Sequence, residues 1–168
     1  TIEQQSSALN EAKSIILSAP WRSAFQPDKH IVLATDASMI SISACIMKPP
    51  PGALKKQKLS KNDLMNLRLI DVKAKCMVNN RPFMNSSTYL KEMEAFKFGI
   101  ETFEYYLKNS AQITILVDNK AVAMSRHSPI LKIKLLFEKL LLEYPNAKIL
   151  AIDSKTNFLA DALTRIKS

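Results

Sequence analysis

Apolar and polar positions alternate with two different periods along this chain, and the switches between them mark out its elements. Residues 3 to 18, EQQSSALNEAKSIILS, carry Leu9, Ala12, Ile15 and Ile16 at helical spacing, and Pro20 ends that pattern. WRSAFQPDKH reads as a connector. Residues 30–36 then form a short β-branched run, and residues 40–48 alternate again as its hairpin partner. PPPGALKKQKLSKND is a loop by its prolines and polarity. Between Leu64 and Val78 the alternation is strand-like but its limits are indistinct. NNRPFMNSST reads as a second connector, with Ser86, Ser87 or Thr88 available as a helix cap.

The second half is more regular. From Tyr89 to Lys108, Met93, Phe96, Ile100, Phe103 and Leu107 recur at three and four, which predicts a helix. Ile113–Val117 is a buried-type strand, Leu131–Tyr144 a helix with Leu131, Leu135, Leu136 and Leu140 as its apolar positions, and AKILAI a short strand. Asn157 can cap a last helix. The order is helix, two or three strands, helix, strand, helix, strand, helix. It predicts one mixed α/β sheet with helices packed on it.

Acidic residues interrupt this pattern where a surface charge is not expected. Asp36 and Asp118 each follow a run of buried-strand residues. Aspartate is a common turn former, so each is either a turn residue or a carboxylate held at a strand end, where sites form in α/β sheets. On the 89–108 helix, each residue advances by about 100°. Glu92 then falls about 50° from the centre of the apolar face and Glu94 about 150° away. Glu94 is therefore a solvated glutamate. Glu92 lies at the edge of the buried face, either as a first-turn acid favoured by the helix dipole or as part of a site. Asp161, in NFLADALTR, has the same two readings. Four acids at two strand ends and two helix starts could converge on hard divalent cations, which take oxygen ligands. Two such ions would activate water and steady the leaving oxygen in phosphodiester hydrolysis.

Composition narrows the field. The chain has 168 residues, enough for one domain with a substantial core, and no apolar run approaches the ~20 residues that span a membrane. Two glycines against eight prolines leave little room for a glycine-rich phosphate loop. Cys45 and Cys76 form no CxxC pair, which removes a structural zinc site and favours a reducing compartment. The net charge of +9 suits a polyanionic partner, although a basic surface also occurs without one. From Lys48 to Lys75 eight Lys or Arg stand against two Asp, the most basic part of the chain. The chain opens on Thr1 inside a helix-like stretch, and we read it as a piece of a longer polypeptide.

Four segments in order, SAPWRSAFQPDKHIVLATDAS, EMEAFKFGIETFEYYL, ITILVDNKAV and NFLADALTR, resemble the ribonuclease H domain of reverse transcriptases from gypsy-type LTR retrotransposons and related pararetroviruses. The resemblance covers most of residues 9–48 and 86–166. It implies a ribonuclease-H-like mixed five-stranded sheet, its first three strands antiparallel, flanked by helices. It places residues 1–29 as connector helix and linker from a preceding polymerase or connection region, and 30–168 as the domain, with a basic insertion around 49–75.

The family's helix motif falls on Glu92, Ala95, Phe103, Tyr106 and Leu107, in agreement with the face argument. Its other acids fall on Asp36, Asp118 and Asp161, the last within Asn157 to Arg165. The implied activity is endonucleolytic hydrolysis of the RNA strand of RNA–DNA hybrids during reverse transcription. Asp36, Glu92, Asp118 and Asp161 would hold two Mg²⁺, with Mn²⁺ as a substitute. The implied partners are the hybrid and the adjoining polymerase domain, without a membrane, in the cytoplasm within virus-like particles or nucleocapsids. Lys55, Lys56, Lys58 and Lys61 are candidate phosphate contacts, each equally readable as a solvated loop residue.

The sequence departs from the family in three places. No glycine occurs in Met39–Ser43, the chain between Asp36 and Glu92 is longer than usual, and AIDSKTN lacks the histidine often found before the last helix. His30 and His127 do not fall at that position and read as surface or packing residues. Two other readings compete with the nuclease. One is a non-catalytic ribonuclease-H-like connection or hybrid-binding module, against which the retention of all four acids argues. The other is a transposase or integrase core, whose acids run Asp, Asp, Glu where these run Asp, Glu, Asp, Asp.

Overall fold

The computed structural model describes residues 23–49 and 66–152. The helix expected over 3–18, the loop lysines Lys55, Lys56, Lys58 and Lys61, and the last helix with Asp161 lie outside the described residues. The elements are strands β1 (His30–Ala37), β2 (Ser41–Lys48) and β3 (Arg68–Cys76), helices α1 (Arg81–Met84), α2 (Thr88–Thr102) and α3 (Glu104–Lys108), strand β4 (Gln112–Val117), helix α4 (Lys120–Ala123), a 3₁₀ turn (Ser125–His127), helix α5 (Leu131–Glu143) and strand β5 (Ala147–Ala151).

The five strands form one sheet in the order β3-β2-β1-β4-β5. β1 pairs antiparallel with β2, and β2 with β3, while β1–β4 and β4–β5 are parallel. This is the mixed five-stranded arrangement that the resemblance implied. The expected strands at 30–36, 40–48 and 113–117 are found within one residue of those limits, and β3 lies within the stretch whose limits were indistinct.

The β1–β2 turn, which contains no glycine, is closed by a serine side chain. Ser38 Oγ accepts hydrogen bonds from the backbone N–H of Ile40 and of Ser41, at 3.2 and 3.0 Å. A hydroxyl that mimics a backbone turn needs no left-handed residue. Among the described non-glycine residues only Asp28 has a positive φ, at 58°.

α2 starts at Ser87, whose side chain accepts from Leu90 N–H. Its apolar face carries Met93, Phe96 and Gly99 into the main core with Ile31, Leu33, Ala44 and Ile46. A Cβ added at Gly99 would stand 2.7 Å from Thr35 Cγ2 and 3.2 Å from Ala44 Cβ, so a bare backbone lets the helix lie close on β1 and β2. The helical register expected to run unbroken to Lys108 breaks at Phe103, and α3 restarts there with Leu107 buried. The connector at 79–88 contains a helix that the pattern did not predict. In α1, Asn80 caps Phe83 N–H at 3.0 Å and Pro82 sits in the first turn, where it loses no hydrogen bond.

α5 corrects one expectation. Its core residues are Ile133, Phe137 and Leu140; Leu136 is half-buried, whereas Leu131 and Leu135 face solvent. The helix is apolar on two sides, and Phe137 selects between them by stacking on Phe96 with ring centroids 4.9 Å apart and planes 4° from parallel.

A second apolar cluster, Val32, Ala34, Cys45, Met47, Leu69 and Leu116, draws on alternate residues of β1 and β2, with Leu69 of β3 and Leu116 of β4. The sheet is thus buried on both faces, which explains the near-continuous apolar runs in β1 and β4. Among the described residues no helix is long and apolar enough to cross a membrane.

Candidate metal centre

The parallel pairing of β1 and β4 sets the first two acids side by side. The register runs from His30↔Gln112 to Ala34↔Leu116. Continued by two residues, it brings Asp36 level with Asp118. Asp36 is the penultimate residue of β1, opposite Ser43 of β2, and is 4% exposed. Asp118 follows β4 directly and is half-buried.

Glu92 comes from the first half of α2 and is as buried as Asp36, whereas Glu94 is exposed, as the face argument required. Ligand-capable carboxylate oxygens of Asp36, Glu92 and Asp118 all lie within 4.8 Å of one another. Residues distant in sequence are gathered because α2 packs across β1 and β2, with its Glu92 turn over the strand ends.

Three carboxylates in so small a space repel one another. Burial, then the charges of Asp118 and Asp36, push the Glu92 carboxyl up to about 9, against a hydrogen bond from the Ala37 backbone N–H that favours its ionised form. Near neutral pH Glu92 is therefore protonated in the metal-free protein. A cation would reverse that preference, since three convergent carboxylate oxygens are the donors that hard divalent ions take. The residues fit a divalent metal. The same negative charge reaches Cys45, whose thiol is raised to about 12, chiefly by burial. That cysteine is inert packing.

The segments carrying Glu92 and Asp118 are joined by a feature that periodicity did not reveal. Tyr89 Oη and Ser125 Oγ lie 2.8 Å apart, Ser125 Oγ donates to Ala121 O at 2.8 Å, and Ser125 is 2% exposed. Tyr89 stands one turn before Glu92, and Ser125 follows the helix that begins after Asp118. A serine buried in a short polar segment gives no signal in the sequence. His30 lies at the opposite end of β1, its Nε2 2.9 Å from Thr114 Oγ1, and is half-buried, while His127 is exposed. Their burial is in keeping with the packing or surface reading.

No protein-family model and no curated protein matches this sequence. Solved structures do match its fold. The foamy viral protease–reverse transcriptase dRH in complex with double-stranded DNA superposes with a TM-score of 0.56 at 12% identity, over 86% of this chain and 25% of that one. The foamy viral protease–reverse transcriptase with double-stranded DNA gives 0.55 at 11% identity, over 89% and 29%. RNase H1 from the halophilic archaeon Halobacterium salinarum NRC-1 gives 0.54 at 12% identity, over 80% of this chain and 93% of that one. This chain thus spans roughly a quarter of the foamy viral chains and nearly the whole archaeal enzyme. At these identities the likeness concerns the fold. With strand order β3-β2-β1-β4-β5 and antiparallel first strands, the chain has the ribonuclease-H-like fold.

Proposed function

We propose that this chain is the ribonuclease H domain of a reverse transcriptase polyprotein, an endonuclease that hydrolyses the RNA strand of RNA–DNA hybrids. The observation that carries the reading is the convergence of Asp36, Glu92 and Asp118 oxygens within 4.8 Å, on a fold shared with an archaeal RNase H1. The gypsy-type relation rests on the sequence motifs. They also place Asp161 as the fourth carboxylate.

Asp36, Glu92, Asp118 and Asp161 would hold two Mg²⁺, with Mn²⁺ as a substitute. Bound there, the ions supply an activated water and neutralise charge on the reacting phosphodiester. The chain's own contribution is placement. Asp36 is fixed near the end of β1 and Asp118 directly after its parallel neighbour β4, and Glu92 is fixed by α2 and the Ala37 N–H. Glu92 must lose its proton for all three to act as ligands, so rising pH and metal binding favour one another.

Phosphate contacts come from the basic segment, with Lys55, Lys56, Lys58 and Lys61 as candidates. Recognition of the hybrid uses backbone, groove shape and the 2′-OH. The domain works beside a polymerase domain, in the cytoplasm within virus-like particles or nucleocapsids.

A labelled RNA–DNA hybrid incubated with Mg²⁺, and separately with Mn²⁺, tests this reading. RNA cuts are expected from the parent and from Glu94→Gln, and none from Asp36→Asn or Asp161→Asn. Hybrid binding without cuts, in this chain and in one that includes the adjoining polymerase, would make it a non-catalytic hybrid-binding or connection module.

A further inference from the structure

α5 carries leucines on the side that faces away from the other described elements. At about 100° per residue, Leu131, Leu142 and Leu135 fall within about 40° of arc, and Leu140, Ile133 and Phe137 lie about 180–240° from Leu131. The second group is the core face. The first is 67%, 84% and 52% exposed, and Ile130, just before the helix, is half exposed. A helix whose solvent face needs no partner carries polar residues there. Such a concentration of exposed leucine marks a contact surface.

The spacing specifies the contact. Leu131, Leu135, Glu138 and Leu142 occupy successive d, a, d and a positions of a heptad, and the core residues Ile133 and Leu140 take the f positions, opposite the seam. In this frame Lys132 and Lys139 are e residues and Lys134 is a g residue. The e and g positions choose the partner of a coiled coil by charge, and the only other g residue here is the apolar Leu141. One acid stands in the seam, Glu138, 4.0 Å from Lys134 Nζ.

A second copy of the chain would set Lys132, Lys134 and Lys139 against the same three lysines, offset only in part by Glu143 and by Glu104 beside Lys139, on a molecule whose net charge is already +9. A helix with apolar a and d residues and glutamate or aspartate at e and g would complement both features. We propose that the outer face of α5 is a docking surface for an acidic amphipathic helix of a partner protein, seated as a short two-helix coiled coil. From Leu131 to Leu142 the seam is about 16 Å long, some three turns, so the contact is short and depends on both leucines and lysines.

The test uses the whole 168-residue chain and two labelled 21-residue helical peptides with leucine at a and d. One has glutamate at every e and g position, the other lysine. Fluorescence anisotropy is expected to show saturable binding of the acidic peptide, and at least tenfold weaker binding of the basic one. Leu135→Gln with Leu142→Gln should weaken the acidic complex at least tenfold with an unchanged circular dichroism spectrum. Lys132→Glu, Lys134→Glu and Lys139→Glu together should exchange the preference of the two peptides. This charge reversal keeps the test decisive should the leucine variant misfold. Equal binding of both peptides, or of neither, would overturn the proposal. So would a dimer in sedimentation equilibrium that the leucine variant abolishes, or binding to phosphatidylglycerol vesicles in place of the peptide.

Discussion

Replacing Glu92 by glutamine should stabilise the metal-free protein, and by more as the pH rises. The physical cause is a carboxyl held among two other acids in a buried place, with its pKa raised from 4.5 to about 9. Between those values the folded chain keeps a proton that the unfolded chain releases. Unfolding free energy then falls with pH, by about 1.4 kcal/mol per unit for one proton. Below about pH 4.5 both states are protonated and the group costs nothing, and above about pH 9 the loss is complete.

At about pH 7.5 the parent has climbed three units of that range, which is a loss of about 4 kcal/mol. Glutamine has the shape of the protonated acid and its oxygen can still accept the Ala37 N–H, so the variant lacks this slope. Urea unfolding followed by circular dichroism, in EDTA, measures both proteins from about pH 5 to about pH 8. The variant's advantage should be under about 1 kcal/mol at the acid end and several kcal/mol at the basic end. Added Mn²⁺ should stabilise the parent increasingly with pH and leave the variant nearly unchanged. Parallel pH profiles for parent and variant in EDTA would refute the reasoning, because they would mean that Glu92 titrates alike in the folded and unfolded chain.

Three further substitutions probe how the fold presents the cluster. Gly99→Ala should cost about 1–3 kcal/mol in urea unfolding, since its Cβ would meet Thr35 Cγ2 at 2.7 Å and push α2 off the strand that carries Asp36. Phe137→Ala should cost about 3–5 kcal/mol by the same measurement, because it removes the ring that stacks on Phe96 and fixes the face of α5. Ser125→Ala should cost about 1 kcal/mol and lower Mn²⁺ affinity in a thermal-shift titration, because the hydroxyl bridges the Glu92 helix to the segment after Asp118.

How far the sequence foretold this architecture depended on how unambiguous each pattern was. β1, β2 and β4 are apolar runs bounded by polar residues, and their limits were readable to within a residue. The identity of the buried acid on α2 was readable too. Met93, Phe96, Phe103 and Leu107 define one face, and only Glu92 of the two glutamates borders it. α5 was harder because eight of its thirteen residues are apolar. Periodicity alone could not choose between a stripe through Leu131 and Leu135 and one through Ile133 and Phe137. Tertiary contact with Phe96 made the choice. The short helices α1 and α4 rest on single side-chain caps, Asn80 and Asn119, and offer too few residues for a period. Ser38 and Ser125 act through hydrogen bonds fixed by position, and a serine's partner is not written beside it in the chain.

The charge distribution binds these observations together. The chain carries nine more positive than negative formal charges, yet three of its acids converge, two of them buried, on the ends of two neighbouring strands. Such a cluster opposes both folding and a polyanionic partner. The opposition to folding is visible in Glu92, which holds its proton far above the ordinary carboxylate range. On the proposed reading a divalent cation removes both conflicts at once. Held by Asp36, Glu92 and Asp118, it would favour the ionised form of all three carboxylates and supply positive charge where the metal-free cluster repels phosphate. On the same reading the chain's excess of basic residues would draw the hybrid from a distance, and the acid cluster with its cation would set where the reacting phosphate rests. Metal-free protein would therefore bind a hybrid through its lysines without seating the scissile phosphate, so affinity for the hybrid and competence to cut it are separable properties of the same fold.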